Sequence, residues 1–154
     1  MTYLLLKYCH LLSAVIMLGT TLCNGILRFH TNGTRQSHHM AAISTGVTAL
    51  NRILLGPSLT LLLLTGLAMT LSRWSFDMAW LQWSLGLYGL LLLAFILGYA
   101  EERRLERLAV DAFDNGQHEP DPRYWQVMRR ATPIGLGATL VSLWILFMML
   151  AKPM

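Results

Sequence analysis

Four long apolar stretches, residues 4–27, 50–71, 78–99 and 132–150, divide the 154-residue chain. A helix rising 1.5 Å per residue needs about 20 mostly apolar residues to cross a hydrocarbon core about 30 Å thick, and each stretch is long enough. None alternates polar and apolar positions with period 2 over about ten residues, as the strands of a membrane barrel do. The pattern therefore predicts an all-α fold, a four-helix transmembrane bundle forming a single integral membrane domain over residues 1–154. The N-terminus has neither a basic n-region nor a small-residue cleavage site, so the first span is expected to stay in the mature protein.

The segments between the spans refine this picture. After the polar residues 30–39 the chain turns apolar again at Met40, so the second helix is expected to begin before the membrane. Gly56-Pro57 lies within that helix and predicts a kink near Leu54–Pro57, because proline removes a backbone donor and crowds the preceding turn. Residues 72–77 form a short connection, which makes the second and third spans antiparallel neighbours. Leu105, Leu108, Ala109 and Ala112 recur at helical spacing beyond the third span, predicting an amphipathic extension of that helix, ended by Asp114-Asn-Gly116. Tyr124 and Trp125 read as interfacial anchors ahead of the fourth span, with Pro133 as an early helix position. Gly86, Gly89, Gly135, Ala138, Thr139 and Ser142 read as packing positions where helices approach closely.

Charge sets the expected orientation. Arg28, Arg35, Arg52, Arg103, Arg104, Arg107, Arg123, Arg129 and Arg130 fall on one side, and only Lys7, Arg73 and Lys152 on the other. Loops rich in Lys and Arg stay in the cytoplasm, so both termini are expected outside the inner (plasma) membrane of a bacterium. Charged residues make up 13% of the chain, well below a soluble domain, and the net charge of +4 follows from topology and contact with anionic headgroups. The lipid bilayer is the expected partner, with a homo-oligomer or a larger membrane complex beyond it and no nucleic acid. Cys9 and Cys23 are fourteen residues apart on one helix, about 21 Å along its axis, and cannot bond to each other.

Candidate chemistry starts at His10. An ionisable side chain inside hydrocarbon is costly and is by default a functional-site hypothesis. His10, Ser13, Met17, Thr20 or Thr21, Asn24 and Arg28 recur at steps of three and four, a polar stripe that should face the bundle interior. Asn51, Ser58, Thr65 and Met69 form a milder counterpart on the second helix. A neutral imidazole at this depth suits a metal, a Met thioether such as Met69 suits copper or haem iron, and Lys7, Arg73 and Lys152 can face porphyrin carboxylates. His10 would be the metal ligand of a haem b or copper pocket, with His10, Lys7, Arg73, Met69 and Lys152 as its cofactor-binding set. His30, His38, His39 and His118 lie about a membrane thickness away, so the second axial ligand cannot be a histidine of the same subunit. The alternative is a histidine that hydrogen-bonds across helices.

Other templates are absent. No Gly-x-Ser-x-Gly, phosphate-cradling glycine loop or His-Glu-x-x-His occurs. The carboxylates of residues 101–121 read as a solvated face, and no carboxylate lies at mid-membrane, which disfavours secondary transport.

Residues 6–15, with Lys7 and His10, and residues 124–130, with the closing Ala-Lys152-Pro, resemble an uncharacterised bacterial family of small four-span integral membrane proteins. That family in turn resembles, distantly, the HemJ-type protoporphyrinogen oxidases and the membrane domain of CopD copper-resistance proteins. The resemblance implies that His10, preceded by Lys7 in a Lys-x-x-His context, is the histidine linked to haem b in the oxidase group. The leading expectation is a small haem b-binding redox protein or a subunit of a membrane redox complex. A non-catalytic membrane scaffold and copper handling through Cys9, His10 and methionines are the rivals.

Overall fold

A computed structural model describes residues 2–73 and 78–151, the side chains of Thr2 and Arg73 excepted. The helices are α1 (Thr2–Thr34), α2 (Ser37–Leu50), α3 (Gly56–Arg73), α4 (Ala79–Asp114) and α5 (Pro122–Ala151), and a π-helical turn at Asn51–Leu55 joins α2 to α3 without a break. Four helices are long and apolar enough to cross a membrane: α1, the continuous α2–α3 rod, α4 and α5. There is no strand among the described residues. The helices outrun the apolar stretches, as expected for the second and third. At 33 residues α1 is about 50 Å long, and it carries its helical geometry through the polar residues that follow the span.

The π-turn stands where the kink was expected. Pro57 has no N–H to offer the carbonyl of Ile53, and its ring crowds the preceding turn of a regular helix. The wider turn accommodates this, with Gly56 N–H donating to the carbonyl of Asn51 five residues back. The end of α4 also follows expectation: Gly116 takes a left-handed φ of +67°, and Gln117 N–H reaches back to the carbonyl of Ala112 at 2.9 Å. Pro133 differs from expectation. The last helix already starts at Pro122, where a missing N–H costs nothing, so Pro133 lies well inside α5.

Helices α1 and α3 run antiparallel in a constant register, with His10 facing Thr65 and Asn24 facing Asn51. The second and third spans are tied by Tyr88 of α4, whose hydroxyl donates to the carbonyl of Leu59 on α3 at 2.7 Å. Two apolar clusters follow. One gathers Met17, Leu59, Leu62, Tyr88, Leu91 and Ile145 in the apolar half of the bundle. The other, at the Arg-rich end, gathers Met40, Ala41, Leu105, Ala109, Tyr124 and Ala131. The apolar face of the α4 extension is thus covered within the chain by α2 and α5. The loop after α4 docks on the start of α2, where Ser37 N–H donates to the carbonyl of His118 at 2.9 Å and the Ser37 hydroxyl to that of Gln117. Leucines, isoleucines and phenylalanines such as Leu4, Ile26, Phe29 and Leu140 point outward, as lipid-facing positions require.

Leu105 is fully buried between these helices, so Leu105→Ala should destabilise the protein by about 2–5 kcal/mol in reversible detergent unfolding followed by circular dichroism. A methyl group on Gly86, inside α4, would meet nothing within 4 Å, and Gly86→Ala should leave the protein as stable or raise its stability by up to about 1 kcal/mol in the same transition.

Candidate functional site

The α1 stripe does turn inward. Ser13, Met17, Thr20 and Arg28 are buried, while His10 and Asn24 are half-buried against α3 and the π-turn. The facing positions Asn51, Ser58 and Thr65 are buried too. His10 Nδ1 lies 3.0 Å from the Thr65 hydroxyl, which in turn donates to the carbonyl of Leu61 at 2.6 Å. Because that hydroxyl has one proton and gives it to Leu61, the network assigns the imidazole as the Nδ1–H tautomer, which leaves a lone pair on Nε2. The ring lies against bare backbone: a methyl group on Gly66 would come within 3.2 Å of His10 Cε1. Glycine at 66 is what lets the imidazole sit there.

The other proposed residues are spread around this point. By the α1–α3 register Met69 stands level with Leu6 and Lys7, one turn from His10 toward the start of α1; Met69 is half-buried and Lys7 exposed. The side chain of Arg73 and the whole of Lys152 lie outside the described residues. Cys9 and Cys23 are both free thiols. Among the described residues no three His, Cys, Asp or Glu side chains come together.

A second polar assembly occupies the opposite end of the stripe. Arg28 is 8% exposed, and its guanidinium forms an ion pair with Glu102 of α4. It also donates to the Ser44 hydroxyl of α2 at 2.6 Å and to the Tyr124 hydroxyl of α5 at 3.3 Å. Tyr124 donates onward to Asn32 Oδ1 at 3.1 Å. Two sequence expectations need correcting here. Tyr124 is no interfacial anchor but a fully buried core residue, and Glu102 belongs not to a wet charged face but to a largely buried ion pair, its side chain 19% exposed against 9% for Arg28. The signal was present in the helical phase: Glu102 falls on the same side of α4 as Leu105 and Ala109, three and seven residues on, which are fully buried. One turn earlier on α1, Asn24 Nδ2 donates to Asn51 Oδ1 at 2.7 Å.

Above this assembly lies a cavity of about 460 Å³ between α1, α4 and α5, walled by small residues including Gly25, Ala94, Gly98, Gly135 and Ala138. Gly135 and Ala138 were expected at a helix contact; Ala138 does pack against the first apolar cluster while also bordering the cavity, whereas Gly135 faces open space. Phe29 and Leu136 also line the cavity, and both are largely exposed, so the cavity opens laterally between α1 and α5. Arg28, Glu102, Asn24 and Asn51 form its polar end. Two polar atoms on this lining have no partner: Asn24 Oδ1, an acceptor, and Arg28 Nε, a donor. They sit one helical turn apart on α1. His10 is not part of this lining.

Residues 4–153 match the family described as "Predicted integral membrane protein (DUF2269)". The chain belongs to the DUF2269 family. No curated protein and no solved structure matches it. For this DUF2269 protein the match accounts for the four apolar spans and nearly the whole chain.

Removing one partner of a buried ion pair leaves the other charge uncompensated. Glu102→Gln should therefore destabilise the protein by about 3–5 kcal/mol, and the Arg28→Met/Glu102→Leu double substitution should be less damaging than Glu102→Gln alone, in the same detergent unfolding assay.

Proposed function

We propose that the protein binds an uncharged, lipid-soluble amphipathic molecule in the cavity between α1, α4 and α5. One observation carries this reading: a buried acceptor and a buried donor, Asn24 Oδ1 and Arg28 Nε, stand unpartnered at the polar end of an otherwise apolar cavity open to the side. Buried polar groups are normally satisfied, and such a pair is completed by a group that donates to one and accepts from the other. A hydroxyl does both. Glu102 already neutralises Arg28, so an additional ionised headgroup would enter with its charge uncompensated. The ligand class is therefore a long-chain alcohol or phenol, its tail reaching the bilayer past Phe29 and Leu136.

A second reading concerns His10. An imidazole held through Nδ1 and bearing its lone pair on Nε2 is how a metal-ligating histidine is usually oriented. Together with the Lys7–His10 resemblance, this supports haem b ligation by His10, with Met69 or a group from another subunit in the second axial position. The chain would then serve as a redox protein or a subunit of a membrane redox complex. The nine-to-three distribution of Lys and Arg supports a bacterial inner membrane location with both termini outside.

For the first reading, purified protein in detergent is titrated with radiolabelled hexadecanol, hexadecanoate and hexadecane. Hexadecanol should bind most tightly, and Asn24→Leu, with circular dichroism unchanged, should weaken it by about tenfold for one lost hydrogen bond. Equal retention of hexadecane, or no effect of Asn24→Leu, rejects the proposal. For the second, an absorption spectrum after haem supplementation should show a Soret band that His10→Ala removes. A colourless protein, or a band unaffected by His10→Ala, rejects haem ligation by His10.

A further inference from the structure

A groove distinct from the cavity runs between the end of α2 and the α4 extension. Arg52 and Thr48 lie on one wall, and Arg103, Glu106, Arg107 and Asp111 on the other. The π-turn divides the two sites: Asn51 points into the bundle and borders the cavity, while the next residue, Arg52, borders the groove. Arg52, Arg103 and Arg107 are exposed. Arg103 is held only loosely by Glu106, at 3.9 Å, and Arg52 and Arg107 have no ion pair among the described residues.

Thr48 is the telling residue. It is 6% exposed, yet its hydroxyl has no hydrogen-bond partner. Most helical hydroxyls in this chain bond back to the carbonyl four residues earlier, as Thr21, Thr31, Thr70 and Thr139 do. Thr48 does not, and it lines the groove. A buried hydroxyl beside two guanidiniums without an ion pair, Arg52 and Arg107, is a donor set for an oxyanion.

Charge and depth narrow the ligand. Three arginines against Glu106 and Asp111 leave the groove with one net positive charge, which a monoanion balances. Arg52 lies at the very start of the apolar run of the second span, and Arg103 and Arg107 follow shortly after that of the third. The groove therefore opens at headgroup level, where polar interface gives way to hydrocarbon. We propose that it binds the phosphodiester of an anionic phospholipid, with the Arg52 and Arg107 guanidiniums and the Thr48 hydroxyl donating to the phosphate oxygens. The shared chemistry with free phosphate is the oxyanion; the acyl chains beside Ile53 distinguish the lipid.

The test uses the whole chain in detergent, titrated with phosphatidylglycerol, phosphatidylcholine or inorganic phosphate and read by native mass spectrometry and thermal shift. Phosphatidylglycerol should bind more tightly than phosphatidylcholine. Arg52→Gln and the near-isosteric Thr48→Val should each weaken it by about tenfold, as loss of a hydrogen bond to a charged acceptor does. Arg104→Gln, an exposed arginine paired with Glu101 outside the groove, should have no effect. Equal binding of the two lipids, or equal loss with Arg104→Gln, overturns the proposal. Binding of inorganic phosphate as tight as that of phosphatidylglycerol overturns the lipid assignment in favour of a free phosphate site.

Discussion

The Arg28–Glu102 ion pair is the constraint on which the Arg-rich end of the molecule depends. A guanidinium removed from water is strongly unfavourable unless its charge and donors are met. Glu102 of α4 meets the charge, and Ser44 of α2 and Tyr124 of α5 accept two of the donors, so one side chain on α1 fixes the approach of three other helices. The alternative positions of those helices would strand a charge at the membrane boundary. The fully buried residues around the pair, Met40, Leu105 and Ala109, supply the dry surroundings that make this selection severe.

The same centre shapes the space above it. With α5 anchored through Tyr124 and α1 through Arg28, the small residues Gly25, Gly98 and Gly135 border a cavity rather than closing on one another. In hydrocarbon there is no water-driven force to collapse such a gap, because lipid tails are as apolar as the helix surfaces. The π-turn before Pro57 contributes by turning Asn51 inward to meet Asn24 while leaving Arg52 outside. A backbone irregularity forced by one proline thus gives two adjacent residues to two different sites.

At the other end, His10 rests in a seam between two helices. Gly66 gives the imidazole room, and the Thr65 hydroxyl fixes its tautomer. The seam was legible beforehand, because His10, Ser13, Met17 and Asn24 recur at the period of a helix and Thr65 and Asn51 answer them on the next span. Which atoms meet was not, since a stripe gives a direction but no axial register. The inward turn of Glu102 and Tyr124 was missed for a related reason. Among Glu101, Glu102, Arg103 and Arg104 composition reads as a wet surface, and only the phase relative to Leu105 and Ala109 sets Glu102 apart.

The sequence by itself determined the spans, the all-helical class, the proline-induced irregularity, the end of α4 at Asp114-Asn-Gly116 and the inward face of α1. These follow from local rules: hydrocarbon thickness, obligatory backbone hydrogen bonding in lipid and helical periodicity. Tertiary structure alone decided that α2 and α5 would cover the amphipathic extension of α4, that Arg28 would choose Glu102, and that small residues on α5 would wall a cavity. Those outcomes depend on pairings between residues as far apart as Arg28 and Tyr124. No local pattern encodes them, because the free energy of a buried charge is set by whichever partners the folded chain brings to it.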